Sequence, residues 1–144
     1  MAQGWVAFMK TLAFLAVVSA LAVPAAAQSL DFEIFKRKVE PIFLAKRPGH
    51  ARCYACHAHA NNAFHLETLP AGAAVWSEEQ SRRNFAMAST LIDRDHPEAS
   101  HLLLHPLAPE AGGDPFHSGG RQFASKDDPL WQTLAAWARG VSGP

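Results

Sequence analysis

Five consecutive residues, Cys53-Tyr54-Ala55-Cys56-His57, combine two thiols and an imidazole at a spacing that suits covalent attachment of a haem. In this C-x-x-C-H pattern the two thiols can reach the two vinyl groups on one edge of a porphyrin. The histidine directly after the second cysteine then places its imidazole under the iron. We predict that Cys53 and Cys56 form thioethers to one haem c and that His57 is the proximal iron ligand.

Other chemistries use a C-x-x-C pair as well. It can be a disulfide, a thioredoxin-like redox pair or half of a zinc site, for which His57 and His59 offer further ligands. The chain has only two cysteines, so a zinc ribbon lacks its second pair, and no βαβ pattern surrounds the motif. A zinc-binding interaction module is therefore kept as an alternative to the haem.

The first 27 residues have the pattern of a secretory signal peptide. Lys10 precedes an apolar run over residues 11–23, and Ala25 and Ala27 form an A-x-A cleavage site. The run is shorter than the ~20 residues that span a bilayer, which disfavours the alternative of a retained anchor. We expect export to the periplasm, cleavage after Ala27 and no stable membrane insertion afterwards.

We expect residues 28–144, about 117 residues, to form one domain. It carries 12 Lys and Arg against 13 Asp and Glu, because Lys10 is lost with the signal. This balance gives no basic excess that would attract nucleic acid or anionic lipid.

Four helical patterns surround the motif. The first begins at Ser29 or Asp31, is bent or divided by Pro41 and ends at Arg47-Pro48-Gly49, with an apolar face of Phe32, Phe35, Val39, Ile42 and Phe43. A capping box at 77–80 opens the second, whose apolar side is Phe85, Ala88, Leu91 and Ile92. Trp76, just before it, is expected to pack in the core. Arg82 and Arg83 either pair with haem propionates or form a solvated face with Glu78 and Glu79.

The remaining two patterns lie near the C-terminus. Residues 97–106 predict a short helix or turn, and a loop rich in Gly and Pro follows to Phe123. The last helix covers 129–139, between the N-cap Asp128 and the stop at Gly140. Its predicted buried face consists of Leu130, Leu134, Trp137 and Val141. The fold class is therefore all-α, with three to five helices wrapped around one covalently attached haem.

This order of elements resembles a small class I cytochrome c domain. VEPIF before CYACH, the PEASHLL run and the closing WQTLAAWARG are similar to the planctomycete-type cytochrome c-like domains, over nearly the whole exported chain. The resemblance implies that the first and last helices cross near one haem edge and that the distal ligand precedes the last helix. Where many relatives carry Met-Pro, this chain has Phe116-His117-Ser118-Gly119-Gly120.

We predict His117 as the distal ligand, in a bis-histidine, low-spin haem. It lies in the Gly-rich loop ten residues before Asp127, the position from which the class I cytochrome c fold usually provides its distal ligand. His105 and His101 are the main rivals, and Met87, within a predicted helix, is a weaker one. Imidazole in place of methionine is expected to lower the reduction potential.

Three functions fit these features. The favoured one is a periplasmic one-electron carrier, not an enzyme, that serves redox partners of the respiratory chain or a periplasmic oxidoreductase. The second is a haem enzyme or small-molecule sensor with an open axial position, and the third is the zinc-binding module.

Overall fold

The computed structural model describes residue 1 and residues 29–59, 61–117 and 119–141. Regular structure in these ranges is helical, and the one β-contact is an isolated bridge between Leu107 and Phe123. The segments are α1 (Phe32–Ile34), a π-helical segment (Phe35–Val39), α2 (Glu40–Leu44), α3 (Cys53–His57), α4 (Glu78–Ser89), a 3-10 turn (Pro97–Ala99), α5 (His101–Leu104), a second 3-10 turn (Pro109–Ala111) and α6 (Pro129–Ala138). The predicted all-α class is confirmed for this part of the chain.

Apart from residue 1, the predicted signal peptide lies outside the described residues. Among the helices that are described, none combines the length and the apolar character needed to cross a membrane.

The N-terminal helix, defined here as residues 32–44, runs through α1, the π-helical segment and α2 without a break. The Asp31 carboxylate caps it by accepting from Ile34 N–H at 2.8 Å. The π-helical segment ends two residues before Pro41, and Glu40 N–H donates to the carbonyl of Phe35, five residues earlier. Because a proline ring crowds the carbonyl four residues before it, this wider segment accommodates Pro41 without dividing the helix.

This helix ends earlier than predicted, at Leu44. Ala45 is extended, and Arg47-Pro48-Gly49 forms a separate turn in which His50 N–H donates to the Arg47 carbonyl at 3.1 Å. Pro48 disfavours the helical conformation at Arg47, so the helix has to stop upstream of it.

The predicted capping box of α4 is confirmed: Ser77 and Gln80 each accept from the other's backbone N–H. Ala88 is buried and Phe85 half-buried, as expected, whereas Leu91 and Ile92 lie just beyond the helix. The helix also buries two polar residues that the apolar pattern missed, Ser81 and Asn84.

The last helix begins at Pro129, after the N-cap Asp128, as predicted. Its buried face differs from the expected one, since Leu130 is only half-buried and Val141 is 43% exposed. Val141 lies past the left-handed turn at Gly140, so the helical periodicity no longer applies to it. Trp131 is buried instead and donates from Nε1 to the Leu103 carbonyl at 3.2 Å.

Aromatic side chains join the first and last helices. Phe35 lies 5.2 Å from Trp137 and 5.4 Å from Phe85, measured between ring centroids. Trp137 also donates from Nε1 to the Asp31 carbonyl at 3.0 Å, which ties α6 to the start of the N-terminal helix. Together these two helices form one wall of the cavity described below, to which they contribute Ile42, Phe43 and Leu134.

Candidate haem site

The short helix α3 presents both thiols and one imidazole on a single face. Positions three and four residues apart lie on the same side of a helix, so Cys53, Cys56 and His57 point the same way. Tyr54 lies on another side, where its hydroxyl accepts from Leu69 N–H at 3.0 Å and its ring packs on Trp76. The helix is therefore fixed to the protein through Tyr54 while its reactive face stays open.

That face opens into a cavity of about 470 Å³. This volume falls within the ~300–1,000 Å³ that is typical of pockets for small molecules and cofactors. Cys53, Cys56, His57 and His117 all line it. The structure thus brings together all four residues that the sequence singled out. Its other walls are mostly apolar, and include Ile42, Phe43, Phe64, Leu102, Phe123 and Leu134.

The imidazole of His57 is oriented by a backbone carbonyl. Its Nδ1 lies 2.8 Å from the carbonyl oxygen of Phe64. Since a carbonyl can only accept, Nδ1 carries the proton, and the lone pair is left on Nε2. A ring N–H donated to a carbonyl is the arrangement that fixes the tautomer of a metal-binding histidine.

His117 has a matching arrangement on the facing loop. Its Nδ1 donates to the carbonyl oxygen of Gly120, a residue whose φ of 94° favours glycine. Its Nε2 therefore also keeps a lone pair. The rings of His57 and His117 are nearly parallel, at 22°, with centroids 6.0 Å apart. Burial lowers the pKa of His117, against the opposing effect of the Gly120 carbonyl, and so favours the neutral form that binds metals.

The other candidates for the distal ligand have different surroundings from His117. His101 and His105 also line the cavity, but they pack against each other, with ring centroids 4.7 Å apart. The Asp114 carboxylate is hydrogen-bonded to Nδ1 of His105. Met87 is half-buried and does not line the cavity. Among the described ring contacts, His57 pairs with Phe64 and with His117, and of the candidate ligands His117 is the one that it contacts in this way.

The suggested pairing of Arg82 and Arg83 with haem propionates is not supported, because neither side chain lines the cavity. Each forms an ion pair with the glutamate one helical turn earlier, Glu78 or Glu79. This is the solvated-face alternative, and exposed pairs at this spacing form readily along a helix. The cation that does line the cavity is Arg52, beside the first thiol.

The two thiols differ in their surroundings. Burial raises the pKa of Cys53 to about 11, although the charge of Arg47 acts in the opposite direction. Cys56 is exposed. The described residues contain no group of three or more His, Cys, Asp and Glu side chains arranged to hold a metal ion.

Sequence reasoning missed several residues that shape the site. Phe64 orients His57 through its main-chain carbonyl, a role that no pattern of side chains in the sequence predicts. Asp114 pairs with His105 across nine positions of irregular chain. Compared with known proteins, the chain matches no family model, no curated protein and no solved structure.

Proposed function

We propose that this protein is a monohaem c-type cytochrome that transfers single electrons outside the cytoplasmic membrane. The observation that supports it most is the shared cavity of Cys53, Cys56, His57 and His117, in which the two imidazole rings are nearly parallel with centroids 6.0 Å apart. Two thiols and two imidazoles with free Nε2 lone pairs are the donor set that a covalently attached, six-coordinate haem requires.

The spacing of the two rings fits this donor set. A metal–nitrogen bond to histidine is about 2.0–2.1 Å long, and a ring centre lies about 1 Å behind its nitrogen, so two imidazoles on opposite sides of one metal have centres roughly 6 Å apart. The rings of His57 and His117 are 6.0 Å apart. This agreement favours His117 as the distal ligand over His101, His105 and Met87.

A bound haem supplies an iron that alternates between two oxidation states by one electron. The residues of this chain would determine the reduction potential of the iron and what can reach it. His57 and His117 would both hold the iron, so that no position on it would be left for a substrate. The apolar walls limit the access of water, and the two imidazoles lower the reduction potential relative to methionine ligation.

We also propose a small cytochrome c-like fold. The packing of the N-terminal helix on α6 through Phe35 and Trp137 supports it, and both helices contribute to the cavity wall. Redox proteins of the respiratory chain or a periplasmic oxidoreductase are the proposed partners, and the proposed location is the periplasm, after removal of residues 1–27.

A haem enzyme with an open axial position is the second candidate. The pair of His105 and Asp114, with His101 beside it, supplies a possible acid and base on the cavity wall. This candidate requires His117 to be off the iron. A high-spin ferric spectrum that shifts on addition of cyanide or peroxide would favour it over the electron carrier.

Expression with export in a host that has haem-maturation machinery tests the proposal. We expect the haem spectrum to stay with the polypeptide after denaturation and reduction, because thioethers survive both treatments. Cys53→Ala combined with Cys56→Ala should release the haem under the same conditions. A colourless product that contains zinc would refute the cytochrome and favour the zinc-binding module.

A further inference from the structure

A carboxylate is buried between the N-terminal helix and α4. Glu40 is only 5% exposed. Ser81 donates from Oγ to one of its oxygens at 2.8 Å, and Asn84 donates from Nδ2 to the other at 3.3 Å. Both donors are neutral and fully buried. A buried carboxylate is costly unless it is hydrogen-bonded, and these two donors offset part of that cost.

Asn84 connects this carboxylate to a third part of the chain. Its Oδ1 accepts from Glu67 N–H at 2.8 Å, while its Nδ2 donates to Glu40. The orientation of the amide is determined by these partners, because a backbone N–H only donates and a carboxylate accepts. The Glu67 backbone is also held at its carbonyl, which accepts from Trp76 Nε1 at 2.7 Å.

Residues 64–67, which have no regular secondary structure, hold His57 at two points. Leu66 N–H donates to the His57 carbonyl at 2.8 Å, and the Phe64 carbonyl accepts from His57 Nδ1 at the same distance. An irregular segment has no ladder of its own bonds to keep it in place, so its position depends on the side chains that bind it. Asn84 and Trp76 provide that support at Glu67.

We propose that Asn84, held in place by the carboxylate of Glu40, is a positioning residue for His57. It fixes the segment whose backbone orients the imidazole, and through it the Nε2 lone pair that faces the cavity. This inference rests on the proposed function, because it treats His57 as an iron ligand. Outer partners of this kind maintain the tautomer and raise the basicity of the ligand.

The test uses the exported haem protein and three readouts: hydrogen exchange of His57 Nδ1–H and of the Leu66 amide, and the reduction potential. We expect Asn84→Ala to accelerate both exchange rates by on the order of tenfold. The potential should rise, since a less basic imidazole stabilises the ferric iron less well. Ser81→Ala is the matched control, because it removes one hydrogen bond to Glu40 and leaves the bond between Asn84 and Glu67 intact.

Substitutions at Glu40 and Trp76 provide independent tests. Glu40→Gln keeps an acceptor for Asn84 and should retain the wild-type potential, whereas Glu40→Ala should behave like Asn84→Ala. Trp76→Phe removes the bond to the Glu67 carbonyl, keeps an aromatic ring beside Tyr54, and should shift the same three readouts in the same direction. If Asn84→Ala does not fold, these variants test the positioning role in its place.

The outcomes separate positioning from a purely structural role. Loss of stability in Asn84→Ala and Trp76→Phe, with unchanged His57 exchange and potential, would overturn the proposal. A wild-type protein that carries no haem would refute the proposed function instead. In that case the exchange rate of the Leu66 amide in the haem-free chain still tests the hydrogen-bond network.

Discussion

Replacement of Trp137 by alanine tests how the first and last helices are held together. Trp137 is 1% exposed, packs on Phe35 and Phe85, and donates to the Asp31 carbonyl. Truncation of a buried tryptophan costs about 3–5 kcal/mol through lost transfer free energy and the cavity left behind. That is a large part of the ~5–15 kcal/mol by which a small domain is stable. The expected drop in Tm is roughly 10–25 °C.

Two further variants make this prediction sharper. Trp137→Phe keeps most of the ring packing and loses the bond to Asp31, so its cost should be nearer to about 1–2 kcal/mol. Val141→Ala is the control, because Val141 belongs to the face predicted from sequence but is 43% exposed, and its cost should stay below about 0.5 kcal/mol. Guanidinium unfolding followed by circular dichroism measures all three. Equal costs for Trp137→Ala and Val141→Ala would refute this account of the core.

Three other predictions concern single positions. Gly113→Ala should destabilise strongly or prevent folding, because its Cβ would lie 1.9 Å from the Leu107 carbonyl oxygen, and a thermal melt within a degree or two of wild type would contradict the packing of that loop. In the haem-free chain an alkylating reagent at pH 8 should modify the exposed Cys56 at least about tenfold faster than Cys53, whose thiol is half-buried with a pKa of about 11. Mass spectrometry of the labelled peptides measures this, and equal rates would contradict it. Burial raises the pKa of Glu40 above its ordinary 4.5, so its contribution to stability is present below that value and is lost as pH rises through the raised pKa. The free energy of unfolding of Glu40→Gln should therefore rise relative to that of wild type as the pH increases from 4 to 7, as measured by parallel urea titrations. A difference between the two proteins that does not change with pH would argue against the raised pKa.

Local signals in the sequence were sufficient for most helices. The capping box before α4 and the Asp-Pro start of α6 specify backbone hydrogen bonds within a few residues, so the boundaries predicted there are confirmed. The exposed Val141 shows the limit of periodicity, because the left-handed turn at Gly140 ends the helix before it. A repeat of apolar residues does not by itself reveal where the helical geometry stops.

Part of the candidate site was also accessible from sequence. C-x-x-C-H places three groups on one helix face by spacing alone, and the structure brings His117 opposite them. The supporting contacts were not predictable, since the Phe64 carbonyl and the Asn84 amide meet their partners through tertiary packing. There was a further reason why Asn84 could not be predicted: in the sequence, an asparagine within a helix looks like a solvent-exposed polar position, whereas Asn84 is buried beside Ser81.

The most direct test of the central claim is the ferric optical spectrum of the exported haem protein, recorded for wild type, His117→Ala and His105→Ala. We predict a low-spin wild type, a high-spin or water-ligated His117→Ala and a His105→Ala that remains low-spin, because the proposed ligands His57 and His117 would both supply strong-field imidazoles to the iron. A His117→Ala protein that stays low-spin, together with a His105→Ala protein that becomes high-spin, would contradict the account.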